Sequence, residues 1–342
     1  MQHEITEAKP LLDAQGNLAE AGYAKKLLPI YRRSEVKASH LRLKEWDYYL
    51  ICSEQFAVAL TIADNGYMGL DSISFLDFES GKQQTVSPMR ILPLGKTCLP
   101  ESSVTGDCAI AGKGYRITFA HDKRERKLFF HMDKFMDSKP IDGKITLSAA
   151  PEESMVICTP FDKPKHFYFN QKINCMRASG SVKIGDWEYH FDPETAFAVL
   201  DWGRGVWTYH NTWYWGSASG QVDGIPFGFN IGYGFGNTEA ASENMLFYNG
   251  KVHKLSQVTF NIPQKDGKDD FMSPWTFTSD DGRFEMDFVP ILDRAACMDV
   301  KLLKSDQHQV FGRFTGKAVL DDGSVIEIKD FIGFAEKVEN KW

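Results

Sequence analysis

Met245-Leu-Phe-Tyr-Asn249-Gly250-Lys-Val252-His-Lys-Leu255 reads as two short apolar-rich runs joined by Asn-Gly. Asn and Gly tolerate positive φ at both central turn positions, and the mirror-image turn they form matches the twist of paired strands. Asp281-Gly282 stands in the same way between Trp275-Thr-Phe-Thr and Phe284-Glu-Met-Asp-Phe, and Asp322-Gly323 between Phe314–Leu320 and Val325-Ile-Glu-Ile. Three such hairpins in succession describe an up-and-down antiparallel sheet. Closure into barrels is the usual way for so many strands to remove exposed edges.

The N-terminal half carries the same signals. Trp46–Cys52, Phe56–Ala63, Tyr67–Phe75 and Tyr115–Ala120 alternate as strands. Tyr115-Arg-Ile-Thr-Phe, the charged turn His121–Arg126, and Lys127-Leu-Phe-Phe-His-Met form a further hairpin, and Asp142-Gly143 is read as opening a strand over Lys144–Ser148. Before these, Asn17–Leu28 is rich in Ala, Leu and Lys, with Asn17 as an N-cap and Pro29 as a stop, so a short helix is expected there. The expected fold is therefore all-β: two consecutive antiparallel barrels behind a short N-terminal helical arm. The arm takes residues 1–40 and the two β domains 41–165 and 166–342; a single large β-sandwich is the alternative.

Composition narrows the function classes. The 342 residues are 43% hydrophobic, 25% charged and 13% aromatic, with net charge −7, ordinary for a globular protein apart from the aromatic excess. The longest basic patch is Lys123-Arg-Glu-Arg-Lys127, too little for a nucleic-acid partner. No run approaches the roughly 18 apolar residues of a membrane helix, and the first residues lack a basic and then apolar leader. The six cysteines are scattered with no CxxC pair, which suits free thiols in a reducing cytoplasm and gives no zinc site. No Gly-x-Ser-x-Gly, HExxH or P-loop occurs. No cofactor is expected.

The chemistry concentrates in Asp201-Trp-Gly-Arg-Gly-Val-Trp-Thr-Tyr-His-Asn-Thr-Trp-Tyr-Trp215, which holds four of the eight tryptophans. On a strand Trp213, Trp215 and Ser217 share one face, with Tyr214 and Gly216 on the other. Asp201–Gly205 reads as a turn, since its glycines allow positive φ. Arg204, Trp207, Tyr209, Trp213, Trp215, Asn230, Tyr233 and Asn244 are the candidate ligand-binding residues, and Asp201 and Tyr209 the candidate catalytic ones. Asp201 suits an acid in a dry aromatic cavity, but an ion pair with Arg204 would depress its pKa and make it structural. In Phe227–Asn237 the glycines 228, 232, 234 and 236 share one strand face, which implies close approach of another backbone or a ligand. Glu285 and Asp287 read as a solvated strand face, and His166 and His190 as barrel-rim partners.

The pattern Phe197-Ala-Val-Leu-Asp201-Trp-Gly-Arg204-Gly-Val-Trp207-Thr-Tyr209, with Trp213-Tyr-Trp215, Phe229-Asn230, Gly234-Phe-Gly236 and Glu243-Asn244, resembles the domain-of-unknown-function family numbered 2804. Glu4-Ile-Thr6, Leu11-Leu-Asp13 and Gly16-Asn-Leu18 extend the likeness to nearly the whole chain. That family is similar to the tandem lipocalin-like proteins of the calycin superfamily, among them carotenoid 1,2-hydratase-like and AttH-like proteins and cyclases acting on prenyl or polyketide chains. The resemblance implies two lipocalin-like barrels and a cavity for a lipophilic small molecule. Asp201, Tyr209 and Trp213 are similar in type and order to the acid-chemistry residues of the hydratases. Three functions follow: binding of a lipid, isoprenoid or polyketide; cofactor-free hydration, isomerisation or cyclisation of such a molecule; or sealing of the seam between the halves by the tryptophans.

Overall fold

The computed structural model describes residues 2–122, 124–300 and 303–341, with the side chains of 298–300 and 303 outside that description. Two curled antiparallel sheets account for most of it. The first has a continuous path of ten strands: β1 (Leu43–Cys52), β2 (Phe56–Asp64), β3 (Met68–Asp77), β4 (Gln83–Val86), β5 (Cys108–Gly112), β6 (Tyr115–His121), β7 (Glu125–Met136), β8 (Lys139–Ser148), β9 (Phe167–Ile184) and β10 (Phe197–Val206). The second has nine: β11 (His210–Val222), β12 (Ile225–Tyr233), β13 (Met245–Tyr248), β14 (Lys251–Lys254), β15 (Val258–Asn261), β16 (Trp275–Ser279), β17 (Phe284–Val300), β18 (Leu303–Val319) and β19 (Val325–Lys341).

The two sheets share one circular plan. Their orders are β4-β3-β2-β1-β10-β9-β8-β7-β6-β5 and β14-β13-β12-β11-β19-β18-β17-β16-β15. In each, the first strand pairs with the last and the path breaks further round. The curl then brings β4 beside β7 in the first sheet, and β15 beside β12 in the second. Strands β9 and β10, C-terminal to residue 165, pair within the first sheet, so the chain changes sheet between Val206 and His210.

Each sheet wraps its own apolar core. Ile51, Ile117, Leu128, Ile145, Phe169 and Trp202 lie inside the first. Phe227, Phe229, Phe277, Phe284, Phe288 and Phe314 fill the second with edge-to-face and tilted rings. The Asn249-Gly250, Asp281-Gly282 and Asp322-Gly323 hairpins stand as expected, and Asn249 and Gly250 take φ of 49° and 79°.

Three local expectations change. Among the described residues there is no α-helix, only a 3-10 turn at Arg33–Glu35. Within Asn17–Leu28, Gly22–Ala24 pairs as a strand with Met155–Pro160. Gly22 interrupts the helical run, a Cβ there would stand 2.6 Å from the His3 carbonyl oxygen, and so short a helix is marginal without packing. The strand expected to open at Asp142-Gly143 starts earlier, at Lys139, so Gly143 lies inside β8, where the Phe130 ring occupies the place of its missing Cβ (2.0 Å); the reversal falls at Asp137 and Ser138, with φ of 51° and 62°. Gly203 and Gly205 likewise sit within β10, hydrogen-bonded on both sides. Their lack of Cβ admits the Trp46 ring, 1.9 Å from the Cβ position of residue 203, and the Phe167 carbonyl oxygen, 2.6 Å from that of residue 205.

Candidate functional site at the seam

The outer faces of the two sheets pack against each other along β1, β9 and β10 on one side and β11, β12, β18 and β19 on the other. Strand alternation decides what meets there. Tyr168, Asn170 and Lys172 on β9 stand level with Gly205, Gly203 and Asp201 on β10, and these with Lys44, Trp46 and Tyr48 on β1. Trp213, Trp215 and Ser217 point toward them from β11, flanked by Glu336 and Phe334 of β19 and by Asn230 of β12.

Rings dominate one end of the seam. Trp46 stacks on Tyr168 (centroids 6.3 Å apart) and meets Trp207 edge-on at 5.3 Å. Phe235 stands edge-on to Trp207, Tyr168 and Trp213 at 4.8, 4.9 and 5.4 Å. Offset and T-shaped pairs of this kind add to the stabilisation from buried area alone. Lys44, wholly buried, holds its Nζ 5.2 Å from the Tyr67 ring and 5.4 Å from that of Trp207. Burial, helped by the nearby Arg42 guanidinium, lowers its pKa to about 7.

The other end is polar and equally buried. Lys172 Nζ lies 2.9 Å from Asp201 Oδ1 and 3.8 Å from the centre of the Trp215 ring. Asn170 Nδ2 donates to the same Asp201 oxygen at 2.5 Å. The Trp215 indole N–H donates to Asn230 Oδ1 (2.7 Å), and Asn230 Nδ2 to the Glu243 carbonyl (2.9 Å). The Trp213 indole N–H and the Gln309 amide each reach one oxygen of Glu336 at 2.9 Å. Burial pushes Glu336 up to about 7, against the pull of Trp213, Arg294 and Lys172, and Asp201 nearby adds to the rise. Burial also raises the Glu243 carboxyl, which Lys172 pulls back down. Glu336 and Glu243 thus both lie in the field of Lys172, which opposes the rise that burial imposes on them. Among the described residues, the buried polar atoms at the seam with no hydrogen-bond partner include Asn170 Oδ1 and Trp207 Nε1, with the Tyr48 hydroxyl and Gln309 Oε1.

The structure gathers some of the expected site residues and separates others. Trp207, Trp213, Trp215 and Asn230 meet at the seam. Asp201 and Arg204 do not pair, because residues three apart on a strand face opposite ways. Arg204 points into the first sheet's core, 3.0 Å from Asp47 Oδ1, with Nη2 donating to the Pro100 carbonyl (2.7 Å) and its guanidinium over the Trp202 ring at 4.1 Å. Tyr209 is at the surface, 48% exposed. Tyr233 stacks on Tyr214 at 4.4 Å against the second core. Asn244 spends its amide on Gly232 N–H (2.7 Å) and the Ser256 carbonyl (2.8 Å), tying a loop to β12. The glycine face of β12 admits close neighbours as expected: a Cβ at Gly228 would lie 2.6 Å from the Ala218 carbonyl oxygen and 2.8 Å from Cys175 Sγ.

Lys172, Glu243, Gln309 and Glu336 were not among the expected residues. For Glu336 the signal exists: it falls between Phe334 and Val338 on one strand face, so alternation alone buries it. Two cavities stand out, neither on the tryptophan motif. One of ≈ 290 Å³ is lined by Arg116, Phe129, Asp142, Lys144, Ser181 and Lys183 among others. The other, ≈ 10 Å³, lies in the seam by Leu50, Val199, Ser217 and Ile332.

The family profile described as "Domain of unknown function (DUF2804)" matches residues 2–342. The chain belongs to that family. No curated protein matches this DUF2804 chain. Solved structures share its fold at low identity. An AttH protein of Nitrosomonas europaea superposes with a TM-score of 0.56 at 11% identity, covering 97% of this chain and 99% of the other. CghA crystallised with Sch210972 gives 0.51 at 12%, covering 97% of each. Kievitone hydratase of Nectria haematococca gives 0.50 at 11%, covering 98% of each. The AttH likeness agrees with the resemblance read from the sequence. Among the described residues no helix is long and apolar enough to cross a membrane.

Proposed function

We propose that this DUF2804 protein binds a lipophilic small molecule (a lipid, isoprenoid or polyketide) at the seam, each curled sheet acting as a lipocalin-like half. The observation that carries this reading is the meeting of an aromatic cluster with unpartnered polar atoms. Trp46, Tyr168, Trp207, Trp213 and Phe235 supply apolar wall, while Asn170 Oδ1 and Trp207 Nε1 wait for a hydroxyl or carbonyl. An unmade buried hydrogen bond costs about 1–3 kcal/mol, so a ligand that completes both gains affinity and orientation. Trp215 and Asn230 extend the wall; Arg204, Tyr233 and Asn244 hold the scaffold from behind. Native mass spectrometry with organic extraction, on protein purified from its own cells, tests this. A stoichiometric lipophile, lost in a folded Trp207→Ala variant, is the expected result. A bare spectrum, with no tryptophan quenching by added isoprenoids, fatty acids or polyketides, would sink it.

A second reading, cofactor-free hydration, isomerisation or cyclisation of that molecule, is favoured by one observation. Glu336 is a buried carboxyl with its pKa near 7, hydrogen-bonded to Trp213. A general acid works best with a pKa near the operating pH, and indole faces stabilise a developing cation. Asp201, paired with Lys172, would orient rather than donate. On this reading Glu336→Gln keeps ligand binding and loses turnover.

A further inference from the structure

The segment Met89-Arg-Ile-Leu-Pro-Leu94 shows apolar side chains to solvent from a rigid mount. Met89, Ile91, Leu92 and Leu94 are 65%, 89%, 49% and 40% exposed. Leu92 and Leu94 take φ of 49° and 50°, a conformation disfavoured for a branched side chain and kept only where surroundings impose it. The surroundings here do so. Leu92 N–H donates to the Tyr67 carbonyl (3.0 Å) and Leu94 N–H to that of Gly66 (3.2 Å). Between the exposed Met89 and Ile91, Arg90 turns inward to a two-point bond with Asp71 (2.8 and 2.9 Å) and a third to Thr97 Oγ1 (2.7 Å). Leu41, 48% exposed, packs its backbone on Gly66 beside them. An unshielded edge strand bearing Met and Ile is a hazard unless something covers it.

We propose that this rim docks on an anionic lipid surface, with Ile91, Leu92, Leu94 and Leu41 entering the headgroup layer. Charge selects this occupant. The bordering segments 32–42 and 95–101 carry Arg32, Arg33, Lys37, Arg42 and Lys96; Arg32 and Arg33 are ion-paired with Glu35 and Glu45, and Lys37, Arg42 and Lys96 stand against Glu101, in a chain of net charge −7. Aliphatic tips bordered in sequence by Lys37, Arg42 and Lys96 suit an anionic bilayer surface. Position agrees with it: Tyr67, which anchors Leu92, faces Lys44, and Lys44 faces Trp207, whose carbonyl accepts from Arg42 Nη2 at 2.9 Å. The rim therefore stands at the aromatic end of the seam, where a lipophile leaving a bilayer would arrive. Lipid docking does not depend on the seam reading, since it is measured with no seam ligand added.

The test is co-sedimentation with vesicles of phosphatidylcholine plus phosphatidylglycerol, against vesicles of phosphatidylcholine alone. A triple variant, Ile91→Ser with Leu92→Asn and Leu94→Asn, removes the apolar tips, and Asn accepts positive φ more readily than Leu. It is expected to unfold at the same or a higher temperature. Val289→Ser, an exposed apolar residue of the second sheet (56%), serves as control. Wild type and control should partition onto the anionic vesicles, less at high salt as screening sets in, and the triple variant at least about tenfold less. Equal partition of triple variant and wild type, or no partition of wild type, overturns the proposal. Self-association of wild type without vesicles, abolished in the triple variant, also overturns it, in favour of a second copy of the chain as occupant.

Discussion

Replacing Glu336 by Gln should change how stability depends on pH. The folded protein holds this carboxyl's pKa at about 7, against an ordinary 4.5, with the side chain in a 3% exposed position. Between those pH values the folded state keeps a proton that the unfolded chain has lost. Wild-type stability therefore falls as pH rises from 4.5 to 7 and is unaffected by this group above that. At about 1.4 kcal/mol per unit, the loss comes to about 3 kcal/mol. Gln is isosteric with the neutral acid, accepts from Trp213 as before, and can donate to Gln309 once that amide turns over. Urea unfolding at pH 4.5 should find the two proteins close, with the variant ahead by about 3 kcal/mol at pH 8 at unchanged m value. A pH-independent difference, or a variant that loses ground as pH rises, would show an ionised Glu336 paired with Lys172 or Arg294 and refute the retained proton.

Three further outcomes are expected. Asp201→Asn leaves the buried Lys172 without its 2.9 Å partner; it should cost about 3 kcal/mol in chemical denaturation at pH 7 and shift the Glu336 titration downward, since Asp201 raises it. Gly203→Ala puts a Cβ into the Trp46 ring; a loss of about 1–3 kcal/mol should come with a changed near-ultraviolet dichroism, and an unaltered spectrum would contradict the packing described. Lys44, with its pKa lowered to about 7 by burial, is neutral in the folded state above that pH, so wild-type stability should rise relative to Lys44→Met by about 1.4 kcal/mol per unit from pH 7 toward 10. A flat difference between pH 7 and 9 would mean that the amine stays charged.

Local chemistry made much of the fold legible. Asx-Gly turns mark hairpins because few residues accept their backbone angles, and strand alternation correctly put Trp213 and Trp215 together, away from Tyr214. The errors arose where a residue's environment is set by chain far away. Glycines 203 and 205 suggest a turn until Trp46 and Phe167 are known to press on them. Asp201 and Arg204, near in sequence, suggest an ion pair, although strand geometry sends them to opposite faces. The buried Lys172 and the half-buried Glu243 show nothing in sequence, since what covers them is the other sheet. Even the helical arm is a case of this kind: Gly22–Ala24 is a strand only because Met155–Pro160 lies alongside.

The pairing of β1 with β10 governs the order in which the molecule can assemble. Tyr48 meets Asp201 across that ladder, so the first sheet lacks its central partner strand until most of the chain has left the ribosome. The extreme N-terminus waits longer still, for His3 N–H donates to the Ala240 carbonyl and Gln2 Nε2 to that of Leu255. Contacts this remote in sequence slow folding, because the loop must close before any pairing rewards it. The second sheet closes in the same way, His210 on β11 pairing with Lys341 on β19, so it too waits for its last strand. In each half the hairpin-linked strands are therefore expected to pair first, the closing ladder after them, and the seam, which needs both sheets, last.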